Sequence, residues 1–508
     1  MNQQISRSPL AVSRRNFLVG ASAVAAGLTL ASCARAPGFL SPSGEAVRES
    51  ERDRPASGRI VDANLIASAT ELDLAGTLAA TFAYGSVPGP VIRLGLGDTL
   101  RARVRNDMQG DTSVHWHGLA LRNDMDGVPP LTQDPIAPSS DFVYEFVADH
   151  PGTYWFHPHV GPQLDHGLYG ALIVEDPDEP LVYDAEWVVV MDDWLDGVTS
   201  TPDEVLDELR SGMGEMDGMG DGNGAPMRMG NTLMGAESAL LGGDAGDVYY
   251  PHYLINARPP ADPHTFTGSA GDRVRIRLIN AGSDTAFRFA IGGHRLTITH
   301  TDGFPVVPLE ADALVIGMGE RYDVVVTLES GAFPMVAEAE GKADRAFAVV
   351  RTSSGPTPSA NAEVRELSGR IPTADQLRAG SSVDLPRREV SRELSLALTG
   401  GMARYDWGVN GRRFDPERAF EGALEVSSGE RVRLTITNET DMWHPFHLHG
   451  HTYQHQGGGP RKDTSIVLPK KSLVVEFDAD NPGVWAAHCH NIYHAEAGMM
   501  TVVGYLDS

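Results

Sequence analysis

The sequence predicts an all-β protein made of three consecutive β-sandwich domains. The chain has 508 residues with 55 Gly and 33 Pro, a composition that favours strands and turns. A turn followed by a strand of alternating polar and apolar residues occurs three times, as GDTLRARVRN at 97–106, GDRVRIRLIN at 271–280 and GERVRLTITN at 429–438. Such alternation is typical of a sandwich strand with one solvated face. The spacing of the copies implies domains of roughly 120–170 residues, which are ordinary domain sizes.

We place the three sandwiches at 59–180, 181–355 and 390–508, with a Ser-, Pro- and Gly-rich linker at 356–389. The formal charge of −27 argues against nucleic acid as a partner, and we expect a monomer. The two cysteines, Cys33 and Cys489, are too few for a disulfide framework or a thiolate-rich zinc site.

The first 33 residues predict export rather than folded structure. The segment SRRNFL at 13–18 matches the twin-arginine pattern, and an apolar run follows it. The run ends in LASC at 30–33, which resembles a bacterial lipobox with Cys33 as the acylated residue; the alternative is ordinary cleavage that discards Cys33. Either way we expect a protein of the cell envelope, in contact with the membrane only through this anchor. Residues 34–58 lack periodicity and predict a flexible tether.

The segment HCHNIYHAEAGM at 488–499 predicts a metal site near the C-terminus. Side chains alternate along a strand, so His488 and His490 share one face and Cys489 takes the other. One thiolate, a histidine and a methionine are parts of a blue-copper site, which needs one more histidine from elsewhere. A lone buried cysteine is usually a small hydrophobe, but the flanking histidines disfavour that interpretation.

Aligning the three repeats locates further histidines. Nine and eleven residues past the last Asn, the first copy has His115 and His117, the third has His447 and His449, and the second has Phe289 and Ile291. A Pro-Gly pair precedes His157 and His488 by the same interval, so that His159 matches His490. The outer domains therefore carry equivalent His pairs. We expect them to face each other across the metal, with the second domain as a spacer.

The histidines divide into two sets. The blue-copper site takes His444, Cys489, His494 and Met499. Eight histidines remain, which divide as three, three and two and would serve two coppers bridged by oxygen plus one less-coordinated copper: His115, His117, His157, His159, His447, His449, His488 and His490.

With these motifs the chain resembles the three-domain multicopper oxidases, of the laccase and cuprous oxidase kind, from about residue 59 to its end. The resemblance implies cupredoxin-like Greek-key sandwiches, four copper ions and the reduction of dioxygen to water. It implies that His115 and His447 hold the type 2 copper and that the other six hold the type 3 pair. Met499 implies an axial thioether and a modest potential for the type 1 copper, which electrons would enter through the edge of His444 or His494.

Reduction of dioxygen consumes protons, so carboxylates near the cluster are expected. Asp126 stands where the family places such an acid, although an Asp before Gly is also a common turn residue. Glu496 is a second candidate, with a solvated loop acid as the alternative.

Methionines indicate the reductant. The segment 211–235 places Met213, Met216, Met219, Met227, Met229 and Met234 among Gly and Asp. Thioethers are soft ligands suited to Cu(I), and Asp441 and Met442 lie just before His444; alternatively the methionines are incidental to a disordered insert. Related inserts often lie in the third domain, whereas this one lies in the second.

Our first hypothesis is a cuprous oxidase that converts Cu(I) to Cu(II) for copper tolerance. A laccase-like phenol oxidase is the second, and a non-catalytic copper store or scaffold is the third.

Overall fold

The computed structural model describes residues 38–211 and 226–507. The expected export signal with Cys33 lies outside these residues, as do Met213, Met216 and Met219. Among the described residues, strands dominate, and no helix has both the length and the apolar character needed to cross a membrane. The all-β prediction is confirmed, with three β-sandwiches in succession.

The first sandwich extends from residue 60 to residue 175. Its strands are β1 (Ile60–Leu74), β2 (Thr77–Tyr84), β3 (Ile92–Gly95), β4 (Thr99–Asn106), β5 (His115–His117), β6 (Asp141–Val147), β7 (Gly152–His157) and β8 (Gly170–Glu175). A four-stranded sheet in the order β2-β1-β4-β6 faces another in the order β3-β8-β7-β5. Apolar side chains of both sheets, such as Val104 and Phe156, form the core between them.

The second sandwich follows directly. Its strands are β9 (Ala185–Trp194), β10 (Met227–Met229), β11 (Thr232–Met234), β12 (Glu237–Ser238), β13 (Gly243–Asp244), β14 (His252–Ile255), β15 (His264–Thr267), β16 (Arg273–Asn280), β17 (Phe287–Ile291), β18 (Leu296–Thr301), β19 (Phe304–Ala311), β20 (Leu314–Ile316), β21 (Arg321–Thr327), β22 (Ala332–Ala339) and β23 (Asp344–Arg351). The main sheets have the orders β14-β9-β16-β21-β18-β19 and β15-β23-β22-β17-β20, while β10-β11 and β12-β13 are separate hairpins.

The third sandwich carries most of the predicted metal ligands. Its strands are β24 (Arg392–Thr399), β25 (Gly408–Val409), β26 (Leu424–Val426), β27 (Arg431–Asn438), β28 (His444–Leu448), β29 (Tyr453–His455), β30 (Arg461–Lys462), β31 (Thr464–Val467), β32 (Ser472–Asp478), β33 (Val484–Cys489) and β34 (Met500–Tyr505). They form sheets in the orders β25-β24-β27-β32-β29-β30 and β26-β34-β33-β28-β31.

Helices are short and lie outside the sheets. They are α1 (Glu45–Asp53), α2 (Pro202–Arg210) and α3 (Ile492–Ala497), with 3₁₀ turns at Asn123–Met125, Arg365–Ser368, Ala374–Gln376 and Pro416–Arg418. Helix α2 begins with a capping box in which Thr201 and Glu204 each bond the other's backbone N–H. Helix α3 begins at Asn491, whose side chain accepts hydrogen bonds from two backbone N–H groups of the first turn.

The three sequence repeats form β4, β16 and β27, and each occupies the same place in its sheet. Each pairs in parallel with the first strand of its domain and antiparallel with a later one. The prediction of one solvated face is wrong for β16, however, because Arg275 and Arg277 on its outer face are buried against the first sandwich. Both form ion pairs with Asp323, which also accepts a hydrogen bond from Thr153 of β7.

The prediction of a flexible tether is wrong for residues 38–58. Helix α1 buries Val47, the Glu51 carboxylate accepts a hydrogen bond from the backbone N–H of Val147, and Arg54 forms an ion pair with Asp149. Phe39 forms a β-bridge with Leu506. This segment therefore packs against the first and third sandwiches. The polar pattern concealed it, because α1 has only one buried apolar residue.

Candidate metal centres

His444, Cys489 and His494 converge in the interior of the third sandwich. The Cys489 Sγ lies 3.6 Å from His444 Nδ1 and 3.7 Å from His494 Nδ1, and the two nitrogens are 3.1 Å apart. Met499 follows α3, and its carbonyl accepts a hydrogen bond from the Cys489 backbone N–H. All four side chains are fully buried. We call this group the Cys489 site.

The donor set of the Cys489 site fits a copper ion. Burial lowers the pKa of His494 to about 4 and that of His444 well below its usual range, so both imidazoles are neutral. Burial also raises the pKa of the Cys489 thiol, and a bound cation is what would stabilise the thiolate there. One thiolate, two imidazoles and a thioether are the ligands of a blue-copper centre.

The outer nitrogen of each imidazole is held by a neighbour. His494 Nε2 lies 2.9 Å from Asp247 Oδ2, and His444 Nε2 lies 2.8 Å from Thr440 Oγ1. A hydrogen bond at Nε2 leaves the Nδ1 lone pair directed at the Cys489 sulfur. Asp247 belongs to the second sandwich, and nothing in the sequence around it pointed to this role.

The eight remaining histidines meet where the first and third sandwiches join; we call them the histidine cluster. In the first sandwich, β5 pairs with β7 so that His115 lies opposite His157, and in the third, β28 pairs with β33 so that His447 lies opposite His488. Donor atoms lie within 4.8 Å of one another in three groups: His115, His447 and His449; His115, His117 and His157; and His159, His449 and His488. His490 joins the second group, with its Nε2 3.4 Å from His157 Nε2.

The ring nitrogens of the histidine cluster are arranged for metal binding. The Nδ1–H groups of four of these histidines donate to backbone carbonyls at 2.9–3.0 Å, which leaves their Nε2 atoms free: His115 to Asp126, His157 to Pro158, His447 to Asp463 and His488 to Cys489. Within the described part of the chain, His115 Nε2, His447 Nε2 and His117 Nδ1 are buried with no hydrogen-bond partner. A buried polar atom normally has a hydrogen-bond partner. The lone pairs of these three unpartnered ring nitrogens are therefore suited to bind metal. Burial and then neighbouring imidazoles keep the pKa of His117 well below its usual range.

Asp126 is buried between histidines of two sandwiches. Its Oδ2 lies 3.0 Å from His449 Nδ1, and its Oδ1 lies 3.1 Å from His115 Nδ1. The sequence placed Asp126 near the cluster, and the structure brings it into direct contact with two of the histidines.

Glu496 lies on α3. It lines a cavity of about 560 Å³ between the first and third sandwiches, together with His159 and Arg210. Burial raises the pKa of Glu496, while Arg210 lowers it by a smaller amount.

Asp441 and Met442 lie in different surroundings. The Asp441 side chain is 95% exposed and pairs with Lys470, whereas Met442 is 3% exposed. One side chain is in solvent and the other is in the core, so the structure does not combine the two as one pair of ligands.

Met227, Met229 and Met234 lie together on the β10-β11 hairpin. Met227 is paired with Met234 across the hairpin, and Met229 is two residues from Met227. Cross-strand partners and residues two apart share a face, so this face presents three thioethers. Met227 is exposed, and the other two are partly exposed.

The chain that follows this hairpin covers the Cys489 site. Asp244 forms a β-bridge with Met442, the Trp443 indole N–H donates to the Ala245 carbonyl, and Asp247 bonds His494. An electron that enters through the edge of His444 or His494 must therefore first pass through this segment or through Trp407. Both rings are 0% exposed, because this segment and Trp407 lie over them.

Comparisons with known proteins agree with this architecture. Multicopper oxidase family models match residues 68–179, 186–354 and 387–507, one per sandwich. The chain is 46% identical to the multicopper oxidase MmcO of Mycobacterium tuberculosis over 97% of both chains. This protein belongs to the multicopper oxidase family. As such it is an oxidoreductase that carries four copper ions and uses dioxygen as electron acceptor, so the interpretation as a non-catalytic scaffold is wrong.

The chain is also similar to more distant proteins with other names. A copper resistance protein A homolog of Pseudomonas syringae pv. tomato is 27% identical over 97% of this chain and 99% of that protein. The solved structure of the L499M mutant of the laccase from B. aclada is 25% identical, with a TM-score of 0.72 over 93% of both chains.

Proposed function

We propose that this multicopper oxidase oxidises Cu(I) to Cu(II) as its main reaction. The Cys489 site then holds the type 1 copper that accepts the electrons. The histidine cluster holds the type 2 copper at His115 and His447, and the type 3 pair at His117, His157, His159, His449, His488 and His490. Bound copper supplies the one-electron transfers and the reduction of dioxygen to water. Cys489 is bonded through the backbone to both His488 and His490, so the chain itself connects the two sites.

One observation carries the proposal for Cu(I). The backbone N–H of Leu233, next to Met234, donates to the carbonyl of Asp247 at 2.8 Å, and the Asp247 side chain bonds His494. The methionine face of the hairpin is therefore connected through a few bonded groups to a ligand of the Cys489 site. Three thioethers on one exposed face suit Cu(I), which is a soft ion.

Helix α2, which leads into the methionine-rich segment 211–235, also supports a position of this segment near the Cys489 site. The Arg210 guanidinium at its C-terminus donates to the carbonyl of Glu496 on α3, the helix that carries His494. Both described ends of the methionine-rich segment are thus attached near the Cys489 site. The relative described as a copper resistance protein fits a role in copper tolerance.

The test is the replacement of Met227, Met229 and Met234 by Leu, which removes the sulfur at nearly constant volume. We expect kcat/KM for Cu(I) to fall at least tenfold, while turnover of a small phenol changes less than twofold. Met108→Leu, a buried substitution in the first sandwich, is the matched control. Equal loss on both substrates would contradict the proposal.

Phenol oxidation is the second candidate, favoured by the likeness to a laccase structure. A phenol would also have to deliver its electron through residues covering the buried His444 and His494. If the triple Leu variant keeps full Cu(I) turnover and the enzyme turns over phenols faster than Cu(I), phenol oxidation is the better assignment.

We also propose that Asp126 and Glu496 supply protons. Asp126 contacts His115 and His449, and Glu496 lines the cavity that reaches His159, so the two acids lie near different histidines of the cluster. Asp126→Asn and Glu496→Gln should each slow dioxygen reduction, measured as oxygen uptake with type 1 copper fully reduced.

Export and lipid attachment at Cys33 are part of the proposal. The mass of the mature N-terminal peptide tests them, since an acylated Cys33 would be its first residue. An N-terminus beyond residue 33 would show ordinary cleavage.

A further inference from the structure

All three sandwiches meet at Asp463, which lies between β30 and β31. Its Oδ1 lies 3.1 Å from Nε2 of His117 in the first sandwich. Its backbone carbonyl accepts a hydrogen bond from Nδ1 of His447 in the third sandwich, at 3.0 Å. Asp463 therefore contacts one ring nitrogen of each of two histidines that belong to different sandwiches. The Thr464 hydroxyl lies 3.1 Å and 3.0 Å from the same two nitrogens and donates to the Asp463 carboxylate.

The second sandwich fixes the Asp463 carboxylate through Arg321. The Arg321 Nη1 and Nη2 atoms each lie 2.7 Å from one carboxylate oxygen, and the Nε–H donates to the carbonyl of Thr153 in the first sandwich. Such a two-pronged bond fixes orientation as well as position. Both Arg321 and Asp463 are 0% exposed, so neither has water as an alternative partner.

Two further acids complete the arrangement. Asp302 accepts hydrogen bonds from the backbone N–H groups of Arg321, Asp463 and Thr464. Lys462 lies 3.1 Å from both Asp302 and Glu320. The buried charges are therefore paired, as buried charges must be to be tolerated.

Two glycines leave room for this contact. A Cβ at Gly118, next to His117, would lie 2.3 Å from Arg321 Nη2 and 2.7 Å from Asp463 Oδ2. A Cβ at Gly319, in the second sandwich, would lie 2.8 Å from His490 Cδ2 and 3.1 Å from His117 Cε1. The backbone of the second sandwich thus approaches the histidine cluster directly, and the expectation that this domain is only a spacer is wrong.

We propose that Arg321 and Asp463 form a positioning pair through which the sandwich without copper ligands fixes the geometry of the copper centre. With Asp463 accepting the Nε2–H of His117, the Nδ1 lone pair of His117 is left for metal. With the Asp463 carbonyl accepting the Nδ1–H of His447, its Nε2 is left for metal. The inference rests on the assignment of His117 and His447 as copper ligands, but it does not depend on Cu(I) as the substrate.

The test compares Asp463→Asn with a matched control, Asp323→Asn, in copper-loaded protein. Asp323 is also a fully buried acid at a sandwich interface, but it accepts its hydrogen bonds from Arg275 and Arg277 of its own sandwich and from Thr153 of the first. Loss of an outer hydrogen bond to a metal-bound His typically weakens metal binding about 10–100-fold. Because the side chain bonds His117, for Asp463→Asn we expect copper of the histidine cluster, first the type 3 ion that His117 holds, to be lost to a chelator at a 10–100-fold lower concentration, and the electron paramagnetic resonance spectrum of the cluster copper to change. The blue absorption of the type 1 copper should persist at full intensity. Asp323→Asn should leave both signals as they are.

Two outcomes would overturn the inference. One is an unchanged spectrum and unchanged chelator resistance of the cluster copper in Asp463→Asn. The other is an equal loss of type 1 copper and cluster copper in both variants, which would show only a structural role. If Asp463→Asn does not fold, Arg321→Lys, which keeps the charge without the fork, decides by the same readouts. These readouts need no substrate, so a failure here is distinct from a failure of the Cu(I) proposal.

Discussion

The Cys489 site and the histidine cluster draw their ligands from the chain in different ways. The four proposed ligands of the Cys489 site lie between residues 444 and 499, inside one sandwich. The histidine cluster combines residues 115–159 with residues 447–490, and the second sandwich reaches it through Arg321. The first site therefore depends mainly on the packing of one domain, whereas the second depends on how the domains are held together. Changes at domain interfaces should affect the two sites unequally.

Cys489→Ser should have the largest effect, because it should remove copper from the Cys489 site and leave the copper of the histidine cluster in place. Without the thiolate the Cys489 site loses its strongest ligand, so the blue absorption and all measurable turnover should disappear. The histidine cluster should still bind its copper, because no thiolate enters it. Copper analysis should give three ions per chain in place of four, and a much lower number would show that the two sites are not independent.

Two buried carboxylates, one beside each site, allow the two sites to be compared by single substitutions. Asp126 contacts His115 and His449, while Asp247 contacts only His494 of the Cys489 site. Asp126→Asn should weaken copper binding in the histidine cluster about 10–100-fold and leave the blue band unchanged. Asp247→Asn should shift the blue band and the type 1 potential and leave the histidine cluster fully loaded. The contrast would fail if either variant changed both sets of signals.

The difference between contacts inside one sandwich and contacts between sandwiches also explains which residues could be predicted from the sequence. The His pairs were predictable because strand alternation and the three repeats fix their faces and offsets, as the pairing of His115 with His157 illustrates. Asp126 was predictable only from the resemblance to the family, which places an acid nine residues past His117. Asp247, Arg321 and Asp463 were not, since each is a single charged residue whose partner lies more than a hundred residues away. Helix α1 was missed because Val47 is its only buried residue.

The smallest expected effect concerns α2, which leads into the methionine-rich segment. His166 of the first sandwich lies 2.8 Å from Asp196 and 2.9 Å from Asp203, the latter on α2. Burial alone would lower the pKa of His166, but the hydrogen bonds to Asp196 and Asp203 outweigh it and raise the pKa to about 9. An unfolded His titrates near 6.5. This contribution to stability is therefore fully present below about pH 6.5 and is lost as the pH rises through about 9.

His166→Gln should remove that pH dependence. Because Asp203 is largely exposed, we expect a loss on the order of 1 kcal/mol in the free energy of unfolding at pH 6 and almost none at pH 10. Chemical denaturation at both values measures it. The copper content of both sites should stay the same, since His166 contacts no ligand of either. A loss as large at pH 10 as at pH 6 would mean that His166 acts through packing and not through its charge.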